Sequence, residues 1–162
     1  MNIGLKAVNA RLSICIIALL MPYILIAATG LRLGSFSQYF YTPIGPFFVS
    51  VLALTCYMMF SNPKWIPAAI ALAIVMLFPC NDYMTIHNVA AVMFFILSAA
   101  AMIFEKQDRI IGIMMILIGP IAIWDLFLAE VILLSMISVY HIRRLLLIRK
   151  ILVKREDRQE FH

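Results

Sequence analysis

Charge is scarce in this chain. Only 13% of its 162 residues are charged, while 65% are hydrophobic. A soluble domain carries roughly a quarter charged residues to cover its surface, so a soluble globule is excluded. Disorder is excluded as well, because it needs low hydrophobicity and high charge. Glycine is sparse, at six residues, and forms no phosphate-cradling loop. No aromatic RNA-binding signature accompanies the basic residues, which argues against nucleic acid. The cysteines Cys15, Cys56 and Cys80 make no Cys-x-x-Cys pair, so the usual zinc spacing is missing. Cys15 and Cys56 sit inside apolar runs and read as small buried hydrophobes. No metal and no cofactor is expected.

What the chain has is hydrophobic length. Apolar segments fall at about 12–29, 45–60, 66–80, 88–104 and 110–140, as in a protein whose solvent is a bilayer. The first follows Lys6 and Arg11, as a signal peptide would. It exceeds a signal core of about 7–15 residues and lacks an Ala-x-Ala exit, so it reads as a retained transmembrane helix. Polar breaks at Gly30–Ile44, Ser61–Lys64, Asn81–His87 and Glu105–Arg109 separate the segments. The helices are near the lower limit for spanning, which favours little tilt and local thinning.

Charge asymmetry sets the topology. Lys6 and Arg11, then Lys64, then Lys106 and Arg109, and finally the seven basic residues from Arg143 to Arg158 all belong on the inner side. The Glu105–Arg109 loop and the tail share a side only if an even number of spans separates them. Residues 110–140 are therefore expected to open a helical hairpin, 110–123 and 126–145, broken at Trp124–Asp125. A re-entrant hairpin satisfies the same rule. The expected fold is an all-α integral membrane protein, a six-helix transmembrane bundle over 1–145 with both termini cytoplasmic, in a bacterial inner membrane. Residues 146–162 follow as a basic amphipathic helix, with Arg143, Arg144, Lys150, Lys154, Arg155 and Arg158 on one arc to contact anionic headgroups. A solvated extension of the sixth helix is the plainer reading.

This topology collects unusual polar residues on the outer side. Glu130 lies inside the last apolar segment, where an ionised carboxylate is expensive and faces a bundle interior or wet cavity. It suits a proton relay, a general acid or base, a headgroup contact, or a hydrogen bond that holds its helix in place. His87 opens the fourth helix just after Asp82, and an Asp near a His can orient the ring. The same pair, or His87 with Glu130, carries metal-ligand chemistry, although no spacing marks a site. Ser35 and Ser37 offer hydroxyl nucleophiles without the strained Gly-x-Ser-x-Gly turn. The candidate site is thus His87, Asp82, Glu130 and Ser37, with His87 and Glu130 sharing a cavity and Asp82 and Ser37 at its mouth. Tyr39, Phe40, Tyr41, Tyr83 and Trp124 suit an outer aromatic belt. Ala90, Ala91, Ser98 and Ala99–Ala101 suit helix contacts.

Three motifs stand together: Gly34-Ser35-Phe36-Ser37-Gln38-Tyr39-Phe40-Tyr41-Thr42, Phe78-Pro79, and Ile86-His87 followed by Ala90-Ala91 and Phe94-Phe95. With them the chain resembles a group of small, uncharacterised six-helix bacterial membrane proteins with a Ser-x-Ser-x-Tyr-Tyr outer loop. Phe40 stands where that group has its second tyrosine. The layout is also loosely similar to the FRAG/DRAM/Sfk membrane proteins. The resemblance implies the six-helix fold and an outward polar site, and no particular reaction.

Three functions fit these features. The first is a non-enzymatic membrane interaction or assembly component, with lipids and a membrane-protein partner. The second is a lipid-binding or lipid-modifying protein using His87, Asp82, Glu130 and Ser37. The third is a proton-coupled carrier using Glu130 and Asp125. A lipid bound in an outer cavity favours the second, and a closed, dry bundle the first.

Overall fold

The chain is helical wherever proline, glycine and its polar breaks allow. A computed structural model describes residues 4–159, with side-chain surroundings through residue 155. Six α-helices follow one another: α1 Leu5–Thr29, α2 Gly45–Phe60, α3 Ile66–Leu77, α4 Met84–Ile103, α5 Arg109–Ile118 and α6 Leu126–Gln159. Short 3-10 segments cover Phe36–Tyr41, Pro63–Trp65 and Gly119–Ile123, and no strand occurs among the described residues. Three helices, α1, α4 and the α6 stretch Leu126–Arg155, are long and apolar enough to cross a membrane. Gly45–Phe60, Pro63–Leu77 and Arg109–Ile123 are shorter apolar helices.

Local chemistry sets the ends. Gly30 adopts a left-handed φ of 68°, and its N–H donates to the Ile26 carbonyl, which closes α1 as a glycine cap does. Pro46 and Pro67 sit in the first turns of α2 and α3, where a missing N–H costs nothing. The third helix ends at Leu77 rather than at the expected residue 80. Pro79 is the cause, because a proline disfavours the helical conformation of the residue before it, and Phe78 is off-helix at φ −119° and ψ 88°. Conversely α1 starts at Leu5 and α4 at Met84, ahead of the apolar runs; in α1 this is because Lys6 and Arg11 propagate helix about as well as leucine does. Gly119-Pro120 converts the end of α5 into a 3-10 turn. Asp125 then caps α6, its Oδ1 accepting from the Leu128 N–H at 2.9 Å.

The helices pack in sequence around a ring. α1 lies along α2 and α6, α3 along α2 and α4, and α5 leans on α4 far more than on α6. Gly112 permits the α4–α5 approach: a Cβ there would stand 2.5 Å from the Ala99 carbonyl oxygen. Ala90, Ser98, Ala99 and Ala101 of α4 are buried, as close helix approach requires. One core of Met21, Leu25, Phe36, Tyr39, Phe48, Met59, Trp65, Phe94, Met102 and Phe127 fills the ring, and Val8, Cys15, Met58 and Leu145 form a smaller cluster. Tyr39 departs from the expected aromatic belt. It is fully buried, and its hydroxyl donates to the Leu31 carbonyl at 2.6 Å, so it folds the α1–α2 loop inward. Tyr41, Tyr83 and Trp124 are exposed.

The two ends of the ring differ. One holds the α1–α2 and α3–α4 loops and the α5–α6 break. At the other, Glu105 is flanked by Lys64 at 2.6 Å and Arg144 at 3.1 Å, and buried Asp108 meets Arg143 at 3.0 Å. Arg143 and Arg144, expected among the headgroup contacts, are thus tied to the α4–α5 loop. Reach is the reason, because the ring brings that loop against α6 one turn before the exposed extension. Lys150, Lys154 and Arg155 are exposed on that extension beside Leu146, Leu147, Ile148, Ile151 and Val153. The Arg158 side chain lies outside the described residues.

Two outcomes follow from this packing. Gly112→Ala should destabilise the detergent-solubilised protein by about 1–3 kcal/mol through overpacking, whereas Gly119→Ala, whose Cβ meets nothing within 4 Å, should melt close to wild type. The second outcome concerns acid. The Lys64 hydrogen bond, helped by Arg144, holds the Glu105 carboxyl below the usual carboxylate range against its partial burial. Because its folded pKa is depressed, its stabilisation is fully present above the unfolded value of about 4.3 and is lost as pH falls through the lower folded value. The melting temperature should therefore hold from neutral pH to about 5 and drop below it, and Glu105→Gln should lower the neutral plateau and flatten the acid limb.

Candidate functional site

The α1–α2 loop builds one wall of the site by folding back over the bundle end. The Gly34 N–H donates to Gln38 Oε1 at 2.9 Å, and the Thr42 hydroxyl to the Tyr39 carbonyl at 2.7 Å. These bonds wind Phe36–Tyr41 into a 3-10 turn. Phe36 then stacks on Phe127 of α6 at 5.2 Å between ring centroids. Its backbone N–H donates to Glu130 Oε2 at 2.7 Å. Glu130 is 8% exposed, so this bond offsets part of the cost of burying the carboxyl group.

Ser37, next in the turn, meets His87 in the first turn of α4. Ser37 Oγ and His87 Nε2 are 2.6 Å apart. The other ring nitrogen, Nδ1, lies 2.8 Å from the Phe78 carbonyl oxygen. That oxygen can only accept, so Nδ1 carries the proton. In the neutral ring Nε2 is then the acceptor, and the Ser37 hydroxyl donates to it. Pro79 makes the arrangement possible: by ending α3 at Leu77 it frees the Phe78 carbonyl from the helix ladder. His87 is 4% exposed.

These groups converge on one cavity of about 570 Å³ between α4, α5 and α6. Ser35, Ser37, Cys80, His87 and Glu130 line its polar end. Ala91, Phe95, Ala99, Met115, Ala122, Ala129 and Leu133 line its apolar length. From His87 to Ala99 the wall runs roughly 18 Å along α4 at the helical rise. The cavity exists because α5 leans on α4 and leaves space beside α6. Its size is that of a small-molecule site.

The structure brings together Ser37, His87 and Glu130 and leaves Asp82 out. Asp82 is exposed, accepts only a long 3.5 Å bond from the Tyr41 hydroxyl, and does not line the cavity. The His87 ring is oriented by the Phe78 carbonyl instead, because α4 starts at Met84 and places Asp82 outside the helix. Tyr41 also accepts from the Asn81 N–H at 2.9 Å, which joins the two loops. Asp125 is likewise committed, to the α6 cap and to an ion pair with Arg32. The Leu128 N–H and then the Arg32 guanidinium hold its carboxyl below the usual range. Arg32 also lies 5.3 Å over the Phe127 ring. Among the described residues, no three His, Cys, Asp or Glu side chains are grouped to hold a metal ion.

Sequence reasoning did not find the Phe36 N–H, the Phe78 carbonyl or the Arg32–Asp125 pair. Pro79 was the available signal for the second, and the N-cap position of Asp125 for part of the third. No protein-family model, curated protein or solved structure matches the chain.

The Glu130 bond predicts a split between two substitutions. Glu130→Gln keeps an acceptor for the Phe36 N–H and should melt near wild type. Glu130→Leu orphans that donor and should cost about 1–3 kcal/mol, read as a lower melting temperature in detergent. Equal melting of the two variants would mean that Glu130 does not hold the loop.

Proposed function

We propose that this is a six-span membrane protein that binds an amphiphile, a membrane lipid or another long-chain acyl compound, in the α4–α5–α6 cavity. The single observation that carries the reading is the cavity itself, which has one polar end with Ser35, Ser37, His87 and Glu130 and a long apolar remainder. A headgroup at the polar end would meet hydrogen-bonding groups, and a chain would lie against Ala91, Phe95, Ala99 and Leu133. This division matches the two halves of a lipid.

The six-span placement draws support from the surface. Exposed apolar side chains occur on the short helices too, at Leu54 and Tyr57 of α2, Ile70 of α3, and Ile113, Met114, Ile116 and Leu117 of α5. Water is a poor solvent for such a surface and lipid a good one. Basic residues also partition by end, with Lys64, Lys106, Arg109, Arg143 and Arg144 opposite the end that holds Arg32. The positive-inside rule then puts the basic end and both termini in the cytoplasm. The cavity's polar end faces the outer leaflet, and the exposed basic face of α6 lies on anionic headgroups. Helices of 15–16 residues reach roughly 24 Å, so the bilayer thins beside them.

An interaction or assembly component needs no such cavity. A proton carrier using Asp125 finds that residue already capped and ion-paired, leaving Glu130 alone. The test is a binding titration of the detergent-solubilised protein with a fluorescent polyene fatty acid. Wild type should bind it saturably. Ala91→Trp and Ala122→Trp, which fill the cavity from two walls, should each weaken binding by about tenfold or more, a loss of about 1.4 kcal/mol. Unchanged affinity in both would reject the cavity as the site.

A further inference from the structure

The Ser37–His87 pair has the parts of an activated nucleophile. A serine hydroxyl is weak alone and becomes reactive when an adjacent base takes its proton and a third group orients that base. Here the hydroxyl donates to Nε2 at 2.6 Å, and the Phe78 carbonyl accepts from Nδ1 at 2.8 Å. The ring therefore presents its basic nitrogen to Ser37 in the correct tautomer. Ser37 and His87 both line the amphiphile cavity, as do Ser35 and Asn88, whose hydroxyl and amide can donate to an oxyanion. A purely structural serine–histidine bond would not need to stand on a cavity wall among such donors.

We propose that Ser37 and His87 form a nucleophile–base pair that hydrolyses a long-chain acyl ester bound in the cavity. This rests on the amphiphile-binding reading. Ser37 Oγ bonds to the ester carbonyl carbon while its proton moves to His87 Nε2. The tetrahedral intermediate collapses as the C–O bond to the alcohol breaks, and the Nε2 proton goes to the departing alkoxide. An acyl-Ser37 ester and a free alcohol result. Water then attacks the acyl carbon, giving its proton to Nε2, and that proton returns to Ser37 Oγ as the fatty acid leaves. The sum is ester plus water to acid plus alcohol, with no redox change. A carbonyl in the third position orients the ring without countering the imidazolium charge, so turnover is slower than with a carboxylate there.

The experiment treats the full chain in detergent with a long-chain alkyl fluorophosphonate, which bonds to activated serines. Peptide mass spectrometry should place one adduct on Ser37. Ser37→Ala should lose it, His87→Asn should slow its formation about a hundredfold or more, and Ser13→Ala should react like wild type. The same wild-type preparation should bind the polyene fatty acid saturably. An unlabelled Ser37 in wild-type protein that still binds the fatty acid would overturn the hydrolytic proposal and leave the binding reading standing. Equal labelling rates in wild type and a His87→Asn variant that melts normally would also overturn it. Adduct mapping on the wild-type chain needs no variant to fold. Loss of fatty-acid binding by wild type would instead strike the binding reading.

Discussion

A carboxylate enclosed by apolar helices must be met by a donor, and Glu130 is met by the Phe36 backbone N–H at 2.7 Å. The arrangement of this end of the bundle follows from that bond. It draws the α1–α2 loop over the mouth of the helix ring and seats the Phe36 ring on Phe127. It also sets the next residue, Ser37, against the first turn of α4. Tyr39 completes the fold of the loop from inside, its ring buried and its hydroxyl on the Leu31 carbonyl. A loop of fifteen residues between two helices would otherwise be long for a compact bundle. Here it is the wall of a cavity.

The opposite end depends on charge rather than on one buried bond. Glu105 bridges Lys64 and Arg144, and Asp108 meets Arg143. Together they join the α2–α3 turn, the α4–α5 loop and the middle of α6. Four of the five charged residues are partly exposed, so each pair alone contributes little. The value of the network is geometric. It holds the loop that leads into α5 while Gly112 lets the helix lean on Ala99, and this leaning opens the space beside α6. The cavity therefore depends on where α5 sits, and the ion-pair network helps to fix that position.

Much of the helical organisation was legible along the chain, because hydrophobic length and polar breaks are local properties. The breaks at Ser61–Lys64, Asn81–His87 and Glu105–Arg109 coincide with helix ends, as does Trp124–Asp125. Boundaries shifted where a local rule was overlooked. Pro79 stops α3 early, and charged but helix-forming residues extend α1 toward the N-terminus. Glu130 and His87 stood out because a carboxylate and an imidazole need partners in an apolar setting. Asp82 drew attention by proximity in sequence alone, and proximity in sequence does not aim a side chain.

By itself the sequence determined that the chain is helical and apolar, where its helices break, and which few polar groups must find partners. These follow from composition and spacing, which act over a few residues. Only the tertiary structure decided which partners those groups find. Glu130 takes a loop N–H ninety-four positions away, and Ser37 takes His87 fifty positions away. Asp125 takes Arg32, and Tyr39 turns inward from an interface where its composition would have placed it. The physical reason is that hydrogen bonds form over about 3 Å, while the distance between these residues is set by how six helices close into a ring.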